Sequence, residues 1–132
     1  MKIAADTNVL LRDVLQDDPV QSPLARKTLQ NAEFVAIPVA VLCEFVWVLR
    51  QVYKRPAPAV AEAIRVLLDS PNVEMNEPAV EAGLAVLDQG GDFADGAIAF
   101  EGHWLGAEEF VSFDKQAVSL LRSQGRKARL LA

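Results

Sequence analysis

The chain has 132 residues, 52% of them hydrophobic and 23% charged, which fits one folded globular domain. No apolar run approaches the roughly 18–20 residues of a membrane span, and no secretory signal precedes Asp6, so we expect a cytoplasmic protein that does not enter a membrane. The single cysteine, Cys43, excludes an internal disulfide and suits a reducing compartment. The net charge of −5 argues against nucleic-acid binding by broad phosphate neutralisation, but it does not exclude a nuclease with a local site.

The first part of the chain contains strand and helix patterns in alternation. Strands are predicted at 2–5 and 33–37, and helices at 7–15, 17–32 and 38–53. Asp17 or Asp18 is the cap candidate of the second helix, with Pro19 at its first helical position. The valines of the third helix suit a strand equally well. Its length of about fifteen residues decides for a helix, because ordinary strands are shorter.

The second part continues the alternation. Two similar helices are predicted at 56–69 and 77–90, with a short strand at 72–75 between them. After the break at Gly90 and Gly91, the patterns predict a helix at 92–106, a strand at 109–113, a helix at 114–125 and a strand at 127–131. Strands that alternate with helices predict an α/β domain over residues 1–132, with a mostly parallel sheet covered by helices on both faces.

Two aspartates directly follow predicted strands. Asp6 comes after the first strand, and Asp114 comes after the strand at 109–113. Ligand sites of open parallel sheets lie outside the carboxyl ends of the strands, so both positions suit a binding site. Both also suit helix N-caps, where Asp is among the preferred residues. One residue can serve in both ways.

Two further acids lie in apolar surroundings. Glu44 is the one polar residue of the eleven in VAVLCEFVWVL, and Asp95 lies within FADGAIAF, three residues after Asp92. A buried carboxylate is costly unless it is neutralised, paired or bound to a cation. If Glu44 and Asp95 meet the two strand-end aspartates, the pocket would bind Mg²⁺ or Mn²⁺ and support the hydrolysis of phosphodiesters by a metal-activated water. The spacing alone does not establish that they meet.

At these residues the sequence resembles a PIN domain, and specifically the VapC type of toxin ribonuclease from bacterial toxin–antitoxin pairs. Four segments carry the resemblance in the order of the family: DTNVLLR (6–12), CEFVWVLR (43–50), DFADGAIA (92–99) and VSFD (111–114). The resemblance implies a three-layer α/β/α sandwich around a central, mostly parallel sheet of four to five strands. It also implies that one group of acids is catalytic and binds Mg²⁺ or Mn²⁺, namely Asp6, Glu44, Asp95 and Asp114.

The resemblance extends to supporting residues and partners. It implies supporting roles for Thr7, Asn8, Asp92 and Ser112, and it implies a homodimer, a VapB-like antitoxin and a structured RNA substrate such as transfer RNA. Phosphate contacts are assigned to Arg12, Arg50, Lys54 and Arg55, which are otherwise solubilising surface charges. Gly96 departs from the family, which more often has Ala after the third acid, and we expect it to weaken its helix by roughly 0.5–1 kcal/mol.

Two other functions remain as alternatives. A non-catalytic acidic module would bind Mg²⁺ or a partner without turnover. A phosphatase of the haloacid dehalogenase type would use Asp6 as its nucleophile, but such enzymes carry a second Asp where this chain has Asn8. Metal-independent RNA cleavage commonly uses a pair of general acid–base groups, often histidines, and His103 is the one histidine present.

Overall fold

The computed structural model describes residues 1–131. They form five strands and seven helices in two compact units, one over Met1–Asn76 and one that begins at Glu77. The elements of the first unit are β1 (Lys2–Ala4), α1 (Thr7–Leu15), α2 (Gln21–Asn31), β2 (Phe34–Ala36), α3 (Val39–Gln51), α4 (Ala57–Leu68) and β3 (Val73–Glu74). Those of the second unit are α5 (Glu77–Asp88), α6 (Phe93–Trp104), β4 (Phe110–Ser112), α7 (Lys115–Ser123) and β5 (Ala128–Leu130).

All described strand pairs are parallel, as the alternation of strands and helices predicts. In the first unit, β1, β2 and β3 form one sheet in that order, with Ile3 opposite Val35 and Val35 opposite Val73. In the second unit, β4 pairs with β5, with Phe110 opposite Ala128. The α/β class is confirmed. The described pairings give sheets of three and two strands, so they do not show the single central sheet of four to five strands that the resemblance implies.

The helices bury one face each. In α3 the buried side chains are Leu42, Phe45, Val46 and Leu49, a helical spacing that confirms the choice of helix over strand. Helix α1 buries Leu10 and Leu11 and packs against α2 and α3. In the second unit, Val86, Val118 and Leu121 belong to a cluster of buried side chains that Ala128 of β5 completes.

The start of α2 differs from the prediction. The helix begins at Gln21 rather than at Pro19, and Asp18 lies before it. The Oδ1 atom of Asp18 accepts hydrogen bonds from the N–H groups of Val20 (2.9 Å) and Gln21 (2.7 Å), which closes a turn ahead of the helix. These hydrogen bonds lower the pKa of the Asp18 carboxyl. The other boundaries differ from the prediction by two residues or fewer.

Helices α5 and α6 pack closely through glycine. A Cβ atom built on Gly96 would overlap the carbonyl oxygen of Ala82, and one built on Gly83 would meet the ring of Phe93. From the sequence alone, Gly96 is expected only to weaken α6. That interpretation was incomplete, because the absence of a side chain at Gly96 is what lets the backbones of the two helices approach.

No helix within residues 1–131 combines the length and the apolar character needed to cross a membrane.

Candidate active site

The first unit contains Asp6 and Glu44. Asp6 follows β1 after one intervening residue and is the N-cap of α1, where its Oδ1 atom accepts a hydrogen bond from the N–H group of Val9 at 3.1 Å. The capping interpretation is therefore confirmed for Asp6. A carboxylate has two oxygens with about four acceptor positions, so this single hydrogen bond is compatible with a second role as a metal ligand.

The two residues after Asp6 differ in exposure. Thr7 is the first residue of α1 and is 8% exposed, whereas the side chain of Asn8 is exposed. Burial of the Thr7 side chain fixes the start of the helix to the core and thereby restrains the backbone of Asp6. The supporting roles implied for both residues stay predictions.

Glu44 lies on the exposed face of α3. Ala40, Trp47 and Gln51 share this face at spacings of three and four residues, and the residues on the opposite face are buried. The apolar residues around Glu44 therefore lie partly on the buried face and partly on the exposed face of the helix. The carboxylate of Glu44 is not enclosed in the core. Trp47 is 57% exposed although a tryptophan in such an apolar segment suggests burial.

The second unit places three acids at the starts of two helices. Asp92 is the N-cap of α6 and accepts a hydrogen bond from the N–H group of Ala94 at 3.2 Å, and Asp95 lies in the first turn of the same helix. Asp114 follows β4 and is the N-cap of α7, where its Oδ1 atom accepts from Gln116 (2.9 Å) and Ala117 (3.1 Å). All three carboxylates therefore lie where the helix dipole favours negative charge.

Ser112 restrains the backbone at Asp114 through a hydrogen bond. Its Oγ atom accepts a hydrogen bond from the backbone N–H group of Asp114 at 2.9 Å. Ser112 and Asp114, on either side of residue 113, are thus both held by hydrogen bonds. The turn from β4 into α7 is therefore restrained. The supporting role implied for Ser112 thus corresponds to a contact with the backbone of the acid.

The electrostatics of the second unit centre on Asp95. Partial burial, together with the negative charges of Asp92 and Asp114, raises the pKa of Asp95 to about 6. Because these charges act on Asp95, the three carboxylates of this unit share one electrostatic environment. A bound cation would relieve the repulsion and favour the ionised form of Asp95.

The donor chemistry of these acids suits a hard divalent cation. Carboxylate oxygens are the ligands that Mg²⁺ and Mn²⁺ prefer. Among residues 1–131, however, no three side chains of His, Cys, Asp or Glu are grouped closely enough to hold a metal ion as they stand. The residues therefore fit a metal by their chemistry and by the raised pKa of Asp95, rather than by a preformed coordination shell.

The four basic residues assigned to phosphate contacts occupy different surroundings. Arg12 donates to the hydroxyl of Tyr53 at 3.0 Å and forms an ion pair with Asp17 at 3.1 Å. Arg50 donates to the backbone carbonyl of Arg55 at 3.1 Å. Lys54 and Arg55 are exposed in the segment after α3. The side chains of Arg12 and Arg50 thus contact other residues of the chain, and the contact of any of the four with RNA stays a prediction.

The second unit also contains a cavity of about 770 Å³ between α6, β4 and the segment 125–127. Its lining includes Ile98, His103 and Lys127, and none of the candidate acids belongs to it. Beside it, the guanidinium of Arg126 lies 5.8 Å from the centre of the Phe100 ring, in the range of a cation–π contact. The cavity and the acids are separate features of this unit.

Comparison with protein families matches residues 3–120 of this chain to the PIN domain. The chain therefore belongs to the PIN domain family. PIN domains are generally metal-dependent nucleases and typically use Mg²⁺, which supports a hydrolase that uses a divalent metal. No curated protein sequence matches the chain at a significant level. The matched range contains all four acids predicted to be catalytic: Asp6, Glu44, Asp95 and Asp114.

Proposed function

We propose that this PIN domain is a VapC-type toxin, an endoribonuclease that uses Mg²⁺ or Mn²⁺ to hydrolyse phosphodiester bonds of structured RNA. Cleavage of a substrate such as transfer RNA in the cytoplasm would inhibit translation. The observation that carries the proposal is Asp95 of α6, whose pKa is raised by burial and by two neighbouring carboxylates in a family of metal-dependent nucleases. Carboxylates that repel one another and thereby raise a pKa are typical of functional sites.

The metal ligands in this proposal are Asp6, Glu44, Asp95 and Asp114. When bound, Mg²⁺ or Mn²⁺ lowers the pKa of a coordinated water and stabilises negative charge on the phosphate. The caps of α1 and α7 orient Asp6 and Asp114 through hydrogen bonds that use one carboxylate oxygen each. Asp92 adds negative charge beside Asp95, and Ser112 restrains the backbone of Asp114.

Binding of all four acids to one metal site is supported by family membership, as is the three-layer α/β/α sandwich with four to five central strands. Within each unit, the structure adds that the aspartates of the set lie at or next to helix N-termini and that Glu44 is exposed. The proposed products carry 5′-phosphate and 3′-hydroxyl ends.

The RNA would be held by local positive charge rather than by the net charge of −5. Lys54 and Arg55 are exposed and support this part of the proposal most directly, whereas Arg12 and Arg50 have partners within the chain. Replacement of Lys54 and Arg55 by Gln should weaken RNA binding and reduce its dependence on salt.

We also propose a homodimer and a VapB-like antitoxin that binds apolar surface and blocks the acids. Large apolar side chains exposed on the first unit support such interfaces, among them Leu24, Val52 and Val66. Contiguous exposed apolar patches mark interaction sites, and the buried core of an interface is more apolar than the rest of a protein surface.

The test is cleavage of a pool of structured RNAs by the purified chain, with Mg²⁺ or Mn²⁺ and with a chelator. Asp6→Asn and Asp95→Asn variants control for contaminating nuclease, and Glu81→Gln replaces an exposed acid of α5 that has no role in the proposal. Cleavage that requires metal and disappears only in the two Asn variants supports the proposal. Equal cleavage by all four proteins would assign the activity to a contaminant.

A non-catalytic module that binds Mg²⁺ is the second candidate. It is favoured by the exposure of Asp92 and Asp114 at helix starts, where the carboxylates are open to a cation or a basic partner without turnover. This candidate predicts that Mg²⁺ binds and that no RNA of the pool is cut. The phosphatase considered from the sequence has no support from the PIN domain match.

A further inference from the structure

Phe113 is a large aromatic residue in an exposed position. Its side chain is 79% exposed, although it follows directly on the strand β4. An isolated exposed apolar side chain needs no special explanation by itself. The position of Phe113 is more specific, because it is adjacent in the chain to Asp114, one of the four proposed metal ligands.

The backbone on both sides of Phe113 is held by hydrogen bonds. The Oγ atom of Ser112 accepts from the N–H group of Asp114 at 2.9 Å, which closes a short turn around residue 113. The Oδ1 atom of Asp114 then accepts from Gln116 and Ala117 and fixes the start of α7. The aromatic side chain is thus carried on a restrained segment beside the carboxylate.

We propose that Phe113 is a nucleobase-stacking residue that binds an unpaired base next to the phosphodiester that is hydrolysed. The inference rests on the proposed function and deepens it, because it restricts the substrate at the cleavage site to a single-stranded segment. Every base presents a π face to an aromatic ring, so stacking tolerates any sequence. A base inside a duplex is already stacked on its neighbours and is not available to Phe113.

The surroundings of Phe113 favour RNA over a protein partner. Asp114, Lys115 and Gln116 follow Phe113 directly, and all three are exposed. The buried cores of protein interfaces are depleted of charged residues. An exposed aromatic ring that is followed in the chain by charged and polar residues suits a nucleotide, which offers a base to stack and a charged backbone beside it.

Trp104 provides a matched control in the same unit. It is 76% exposed, nearly the same fraction as Phe113, and it is the last residue of α6. It lies nine positions after Asp95 in the same helix, which corresponds to about 13.5 Å along the helix axis. Loss of Trp104 removes as much exposed aromatic surface without changing a neighbour of a proposed ligand.

The experiment measures binding of a single-stranded oligoribonucleotide that carries 2-aminopurine, a base whose fluorescence falls when it stacks. Binding is measured with Mg²⁺ in the Asp95→Asn chain, which should not hydrolyse the RNA. Phe113→Ala and Phe113→Leu should abolish the quenching and weaken binding about ten-fold, whereas Phe113→Tyr and Trp104→Ala should retain both. In the chain with Asp95 present, Phe113→Ala should raise KM for cleavage by a similar factor and change kcat less.

Three results would overturn the inference. Quenching and affinity in Phe113→Ala equal to those of the parent would show that the ring does not contact a base. Equal losses in Phe113→Ala and Trp104→Ala would show a general effect of exposed aromatic surface. A change in molecular mass by light scattering in Phe113→Ala would assign the residue to a protein interface.

The inference and the proposed function can fail separately. A chain that cleaves RNA with metal, but whose Phe113→Ala variant is unchanged, would keep the nuclease and remove the stacking role. A chain that never cleaves, but shows quenching that depends on Phe113, would keep the stacking role and remove the nuclease.

Discussion

At the scale of single residues, Asp95 is the group whose chemistry departs most from that of a free side chain. Its pKa rises from an ordinary value near 3.8 to about 6. Because the pKa of this carboxyl is higher in the folded than in the unfolded chain, its ionisation destabilises the folded state. Ionisation of Asp95 therefore lowers the free energy of unfolding as the pH rises above about 4, and this decrease is complete above about pH 6.

The variant Asp95→Asn should therefore stabilise the metal-free protein at pH 7.5. A shift of this size would correspond to about 3 kcal/mol if it were fully realised, but the carboxyl is only partly buried, so we expect about 1 kcal/mol after screening by solvent. Urea unfolding with a chelator at pH 7.5 and near pH 4 measures the difference. Near pH 4 most of the gain should vanish, because Asp95 is then largely protonated. A variant that is less stable than the parent at pH 7.5 would contradict the prediction.

Metal binding should depend on the same ionisation. Protons compete with Mg²⁺ for Asp95 below pH 6, so the affinity for Mg²⁺ should fall between pH 7.5 and pH 5. Calorimetric titration of the parent and of Glu81→Gln should show this decrease equally. An affinity that is the same at both pH values would argue that Asp95 is not a ligand.

At the scale of elements, capping and catalysis can be separated at Asp114. Asn caps helices about as well as Asp, so Asp114→Asn should leave the stability nearly unchanged and abolish cleavage. Asp114→Ala loses the hydrogen bonds to Gln116 and Ala117 and should destabilise the protein by about 1 kcal/mol as well. Thermal unfolding and cleavage rates of the two variants test this. If both variants lose stability equally, the carboxylate charge rather than the cap holds α7.

The close packing of α5 against α6 predicts how alanine substitutions in α6 change the stability of the protein. Gly96→Ala places a methyl group against the backbone of Ala82 and should lower the free energy of unfolding by about 1–3 kcal/mol. Gly102 lies in the same helix with open space around its Cβ position, so Gly102→Ala should raise stability by about 0.5–1 kcal/mol. Chemical denaturation of both variants gives the comparison. A gain in stability for Gly96→Ala would contradict the close approach of the two helices.

The elements themselves were largely predictable from the sequence. The length of its apolar run identified α3 correctly as a helix, and the prolines at 38 and 56 marked helix starts, since each is the N-cap residue of its helix. Gly96 was misjudged because its reason lies in another helix, Ala82 of α5, which no local pattern contains. The start of α2 was misplaced because Asp18 closes a turn before the helix rather than capping it.

At the scale of the whole molecule, family membership, the chemistry of the acids and the parallel pairing of strands could be predicted from the sequence, but the grouping of the strands into sheets could not. Each strand has two or three residues, too few for a pattern to specify its neighbours. Asp6 and Asp114 were recognised from their positions after strands, and Glu44 and Asp95 from their apolar surroundings. The exposure of Glu44 follows only once it is known which face of α3 is buried. The exposure of Phe113 was not predicted, because an aromatic residue at a strand end suggests a buried side chain.

The measurement that tests the central claim most directly is the initial rate of RNA cleavage with Mn²⁺ by four conservative variants. Each replaces one acid by its amide: Asp6→Asn, Glu44→Gln, Asp95→Asn and Asp114→Asn. Loss of groups that only support metal ligands typically slows such enzymes 10–100-fold, so loss of a ligand should slow cleavage by at least about a hundred-fold in every variant. The Glu81→Gln control should cleave at the parental rate. A variant of the four that also cleaves at the parental rate with Mn²⁺ would contradict the assignment of its acid to the metal site.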